Sequence, residues 1–191
     1  MECESPYFNY NISAIHYLKH AKEQLQLFDS GVIEGLFYGA LDLRFGIEAR
    51  LFEYIEASCL KLTLKHSKEY VATKLLIILS KGNPYVDKPG GLIIKSSGEK
   101  SGSRLYYTPV TKELACYHGK LGEMLHFKFF KNNVDWFIKQ RLLPEGGRQK
   151  SLLDWRDILD DVVRELEYAT SGHLLAHPTF EKLLTEADKA T

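Results

Sequence analysis

The sequence predicts a mainly α-helical bundle carrying one inserted β-hairpin, and three observations lead there. Apolar residues recur at helical spacing along most of the chain. The stretch from Pro84 to Thr111 switches instead to short β-rich runs around a Gly/Ser turn. The run from about Val32 to Leu60 is long enough, about 43 Å at 1.5 Å per residue, to serve as a spine. With 191 residues and 45% apolar side chains, the chain fits a single domain, 1–191, that buries roughly 70% of the surface its unfolded form exposes.

The first helix is expected from about Asn11, a plausible N-cap, to Asp29, with Ile12, Ile15, Leu18, Leu25 and Phe28 close to one face. Ser30-Gly31 breaks it. The second helix follows, with Leu36, Leu43, Ile47, Leu51, Tyr54 and Ile55 as its core stripe. A third, from about Lys68 to Ser80, carries Leu75-Leu76-Ile77-Ile78-Leu79, apolar on all sides and therefore expected at the centre. Gly82-Asn83-Pro84 ends it. Leu92-Ile93-Ile94 and Leu105-Tyr106-Tyr107 then form a hairpin over about 92–108. Thr111 can cap a fourth helix running to about Leu143, and Ser151-Leu152-Leu153-Asp154 reads as a capping box for a fifth. Leu152, Trp155, Leu159, Val162 and Leu166 share one face of that fifth helix. A short last helix starts near Pro178.

Formal net charge is zero, but it is unevenly spread. Residues 1–81 hold 9 basic and 10 acidic side chains, 82–150 hold 12 and 6, and 151–191 hold 4 and 9, or −1, +6 and −5. A basic centre beside an acidic end implies either pairing within the molecule or dimer, or a centre that faces a polyanion. Three widely spaced cysteines, Cys3, Cys59 and Cys116, form no CxxC pair, which points to a reducing compartment. The acidic Met1-Glu2-Cys3-Glu4 is unlike a signal peptide, and no apolar run reaches the roughly 18 residues of a membrane span. A cytoplasmic protein with no membrane partner is the expectation. No phosphate-cradling glycine loop, Gly-x-Ser-x-Gly elbow or Cys/His zinc spacing occurs, so neither a cofactor nor a metal is expected.

Several residue groups are candidates for function. Gly31, Gly35 and Gly39 recur every four residues, with Gly46 seven further on. Each interior helical glycine costs about 1 kcal/mol relative to alanine, so close approach of another backbone must offset it. That backbone belongs to the first helix, to a partner subunit or to a ligand. Arg44 and Glu48, one turn apart among core residues, read as a structural ion pair.

The helix Tyr17-Leu18-Lys19-His20-Ala21-Lys22-Glu23-Gln24-Leu25, a short turn, and a long helix with Ala40 followed by Ile47-Glu48-Ala49 resemble the opening helical pair of HEPN-domain proteins. The resemblance covers about residues 12–57. It implies a helical bundle, homodimerisation, and a role in RNA cleavage, in toxin-antitoxin or antiviral defence systems, or beside a nucleotidyltransferase. Catalytic members of that family place an Arg and, with four to six residues between, a His near a helix start. Here no Arg fits, and the nearest pattern is Lys112 and His118, with five residues between them. Such a pair could hold a phosphate on the cation while the imidazole moves a proton during attack by a ribose 2′-hydroxyl. Lysine supplies a point charge where arginine supplies a planar fork.

His16/His20 and His173/His177 sit four apart but lack the glutamate of a metal-binding HExxH helix. Lys95, Lys100, Arg104, Lys128 and Lys131, interleaved with Tyr106, Tyr107, Phe127, Phe129 and Phe130, form a pattern suited to nucleic-acid contact. The leading expectation is a non-catalytic HEPN-like module acting in a homo-oligomer or with a protein partner, possible in a bacterial defence or toxin-antitoxin type system. Its alternatives are a metal-independent ribonuclease and an RNA- or DNA-binding protein without chemistry.

Overall fold

In the computed structural model, the described residues are 13–57, 69, 71–82, 86–94, 103–125 and 149–172. They form helices α1 (Ala14–Asp29), α2 (Glu34–Ala57), α3 (Ala72–Gly82), α4 (Lys112–Leu125) and α5 (Gln149–Ser171), and strands β1 (Gly90–Ile94) and β2 (Ser103–Tyr107). The architecture is a helical bundle with a two-stranded antiparallel hairpin between α3 and α4. The expected Asn11 cap, the 126–143 extension of the fourth helix and the helix near Pro178 lie outside the described residues.

α1 ends where the sequence breaks it. Gly31 adopts φ +101°, its N–H bonds Phe28 O at 2.9 Å, and Val32 N–H bonds Leu27 O at 2.9 Å. These two bonds make a Schellman cap, in which a left-handed residue after the helix lets the chain satisfy the last carbonyls. Gly31 therefore closes α1 instead of lining α2, correcting its expected place in the stripe; no atom lies within 4 Å of where its Cβ would be.

The chain then doubles back. α2 runs antiparallel to α1 through its remaining glycines. A Cβ on Gly35 would sit 2.3 Å from Gln24 O, one on Gly39 3.0 Å from Leu25 Cδ2, and one on Gly46 2.7 Å from Leu166 Cδ2. The α1 contacts descend along the chain, with Phe28 and Leu27 at Gly35, Leu25 and Ala21 at Gly39, and Tyr17 and Ala14 at Gly46, as an antiparallel arrangement requires. This glycine face is filled by α1 and α5 of the same chain.

Leu36, Ala40, Leu43, Ile47, Leu51, Tyr54 and Ile55 on α2 are buried. They pack with Leu75 and Leu79 of α3, Leu114, Leu121 and Met124 of α4, and Leu159, Val162 and Leu166 of α5. Each such leucine, isoleucine, valine or methionine contributes roughly 1.5–3 kcal/mol on burial. α3 is less central than its composition suggests, because Ile77 is exposed while Leu75, Leu76 and Leu79 face inward. Thr111 caps α4 as its chemistry predicts: Leu114 N–H bonds its Oγ1 at 3.0 Å, and that hydroxyl donates to Glu165 Oε2 on α5.

A polar knot ties the helix ends together. Glu53 Oε1 accepts the orphan N–H of Ala14, at the start of α1, at 2.7 Å. Its other oxygen accepts from Arg50 Nη1 at 2.8 Å. Arg50 also donates to Ala169 O and Gly172 O at the end of α5. An anion thus stands at one helix's N-terminus and a cation at another's C-terminus, the arrangement both helix dipoles favour. Tyr54 donates to Thr108 O, which joins the exit of β2 to the knot. In the hairpin, Gly90 pairs with Tyr107 and Ile94 with Ser103. Tyr107 turns inward to donate to Val86 O while Tyr106 faces out.

Candidate functional site

The middle of α2 meets the middle of α4 at a cluster that sequence spacing does not reveal. Arg44 and Glu48, one turn apart on α2, face His118 of α4. His118 Nε2 lies 2.6 Å from Glu48 Oε1 and 3.3 Å from Arg44 Nε, and Arg44 Nε is 3.5 Å from the same Glu48 oxygen. One ring nitrogen cannot donate to Glu48 and accept from Arg44 together. The shorter, charge-assisted contact decides it: Nε2 carries the proton and donates to Glu48, and Arg44 is held by the carboxylate. The imidazole is only 5% exposed, whereas Arg44 keeps 25% of its side-chain surface open.

Glycine shapes the α4 side of this cluster. A Cβ on Gly122 would lie 3.4 Å from Arg44 Nη1, and Gly119, one turn earlier, faces open space. The expected Arg44/Glu48 ion pair is present, with His118 as its third member.

The expected Lys112/His118 pair is not assembled within the chain. Lys112, the first residue of α4, is 81% exposed and reaches Asp87 at 3.7 Å. His118, six residues on, turns into the bundle and is engaged by α2. Helical rotation separates the two side chains.

Of the residues expected to contact nucleic acid, Lys95, Lys100, Lys128 and Lys131 lie outside the described residues, and Arg104 is placed only by its backbone, opposite Ile93 in the hairpin. His16 contacts Ser13 Oγ and His20 contacts Asp42 Oδ2, both at 2.7 Å, so each turns to its own partner. His173 and His177 are outside the described residues. Among the described residues no three His, Cys, Asp or Glu side chains gather as metal ligands, and no helix is long and apolar enough to cross a membrane.

A second feature was missed by the sequence reading. Tyr38, Leu41 and Phe45 are 57%, 36% and 40% exposed. Spaced three and four residues apart, they form one outward stripe on the helix whose other faces make the core. Tyr17 of α1 packs beside Phe45, ring centroids 5.7 Å apart. The signal was available as the apolar residues of α2 left over once the core stripe was assigned. Neither a family model, nor a curated protein, nor a solved structure matches the chain.

Proposed function

We propose that this protein is a non-catalytic helical module that works as a homodimer, joined through the outward face of α2. The observation that carries the reading is the stripe Tyr38, Leu41, Phe45 on the central helix. Exposed large apolar groups gathered on one face mark association surfaces, and aromatic residues are enriched there.

The occupant is a second copy because the stripe is self-complementary. It reads aromatic, leucine, aromatic in both directions. A two-fold axis near Leu41, with the two α2 helices antiparallel, sets Tyr38 of one protomer against the partner's Phe45 twice over, with the leucines meeting between them. Zero formal net charge removes the overall repulsion that would oppose such pairing. A HEPN-like role in a defence or toxin-antitoxin type complex, as the α1–α2 resemblance implies, is compatible with such a dimer. The burial of His118 and its engagement by Glu48 favour a non-catalytic module over the ribonuclease alternative.

Sedimentation velocity tests the reading. At about 50 μM, well above the dissociation constant of a standard-sized interface, the wild type is expected to sediment as a dimer and Leu41→Glu as a monomer with unchanged helicity. A wild type that stays monomeric overturns it.

A further inference from the structure

Among the described residues, three arginines have largely buried side chains, and they are used differently. Arg50 spends Nε, Nη1 and Nη2 on Ala169 O, Glu53 and Gly172 O. Arg156 grips Asp29 with Nε and Nη2, each at 2.9 Å. Arg44 pairs with Glu48 through Nε alone, at 3.5 Å, with the His118 ring beside it, and among the described residues nothing bonds its Nη1 or Nη2. An arginine serving only as a counter-ion normally turns its two-pronged edge to the carboxylate. Arg44 instead has one donor anchored and its terminal pair left over.

The anchor restricts the guanidinium before any ligand arrives. Glu48 holds Nε, and His118 holds Glu48. Glycines at 119 and 122 keep the α4 side clear of side chains: open space at one, and at the other van der Waals distance from Nη1 to where a Cβ would be. In the sequence, the segment 82–150 that contains α4 carries 12 basic against 6 acidic residues.

We propose that Arg44 anchors a phosphate-binding site on the α2–α4 face, its guanidinium pre-set by Glu48 and His118, with Nη1 and Nη2 as the donors that receive the phosphate oxygens. A partly exposed, pre-oriented guanidinium matches the geometry of phosphate oxygens. The basic composition of the 82–150 segment favours a phosphate over a singly charged carboxylate. Glu48 and His118 are positioning residues, and the site does not require the dimer.

Arginine-selective ¹H–¹⁵N spectra test this on the whole protein, titrated with sodium phosphate against sodium chloride at matched ionic strength. The Arg44 Nε–H resonance should shift saturably with phosphate and not with chloride. Arg44→Lys, its fold checked by circular dichroism, should weaken binding by about tenfold, since lysine lacks the fork. Leu41→Ser, which weakens the dimer contact without placing a charge one turn from Arg44, should bind phosphate like the wild type, which separates this site from the dimer contact. Absence of a saturable Arg44 shift in the wild type overturns the proposal whether or not any variant folds, as does full affinity in folded Arg44→Lys. Two further probes identify the source of the phosphate: a mononucleotide as tight as a short single-stranded RNA assigns a small phosphate ester, and an RNA more than about tenfold tighter, with the same Arg44 dependence, assigns a nucleic-acid backbone.

Discussion

Glu48 Oε1 accepts a 2.6 Å hydrogen bond from His118 Nε2, joining the middle of α2 to the middle of α4 across 70 residues of sequence. Removing one side of a partly buried, charge-assisted bond strands the other. Glu48→Ala and His118→Ala are each expected to cost about 2 kcal/mol in urea unfolding. The double variant should cost less than the sum by about 1 kcal/mol, because the second change removes a group already unpaired. Strict additivity would show that the two residues do not stabilise each other.

Arg50 is the most consequential single side chain outside the apolar core. Arg50→Met keeps much of the volume but removes the guanidinium from Glu53, Ala169 O and Gly172 O, leaving Glu53 without its counter-charge while Thr108 Oγ1 still donates to Ala169 O. About 3 kcal/mol or more of stability should be lost. Glu53→Gln keeps one acceptor oxygen but turns its amide NH2 towards either Ala14 N–H or Arg50, and should cost about 2 kcal/mol. Equal urea midpoints for wild type and Arg50→Met would mean that the knot does not hold α1 and α5 in place.

The glycines divide by what surrounds them. Gly35→Ala drives a methyl to 2.3 Å from a backbone oxygen, so α1 and α2 must separate, at about 3 kcal/mol. Gly119→Ala meets nothing within 4 Å and should stabilise by about 1 kcal/mol through helix propensity. Thermal melts with opposite signs are expected. A neutral Gly35→Ala would mean that the two helices are not in backbone contact.

Local chemistry was legible in the sequence and long-range chemistry was not. Ser30-Gly31 marked the end of α1, Thr111 marked the start of α4, and the core stripe of α2 was read directly, because caps and periodicity are properties of neighbouring residues. The glycine stripe announced close packing but not that Gly31 stands outside it. Ile77 looked central because a short apolar run does not show which side will be covered. The polar cluster failed differently. A search for an Arg and a His a few residues apart cannot find Arg44 and His118, whose separation of 74 residues closes only when α4 packs on α2.

The pH response follows from two kinds of group. The bidentate bond from Arg156 is the main reason the Asp29 carboxyl titrates below its ordinary value. Its contribution is therefore complete above the unfolded pKa of about 3.9 and fades as pH falls through the lower folded value. Burial raises the Tyr54 and Tyr107 hydroxyls. Their contribution is complete below about pH 10 and is lost as pH rises towards their folded values. Melting temperature should fall at both extremes, and Asp29→Asn should flatten the acid limb alone. An unchanged acid limb in that variant would remove Asp29 from the account.

Cross-linking at the proposed two-fold axis is the most direct measurement. With Cys3, Cys59 and Cys116 replaced by serine, Leu41→Cys should oxidise to a disulfide-linked dimer, because an axis near residue 41 brings two copies of that position within the roughly 7 Å a disulfide can span. Ile77→Cys, more open to solvent on α3 than Leu41 is on α2, should not link. A dimer that forms at 41 and not at 77 supports the α2 face as the contact between copies; no linkage at 41, or equal linkage at both, contradicts it.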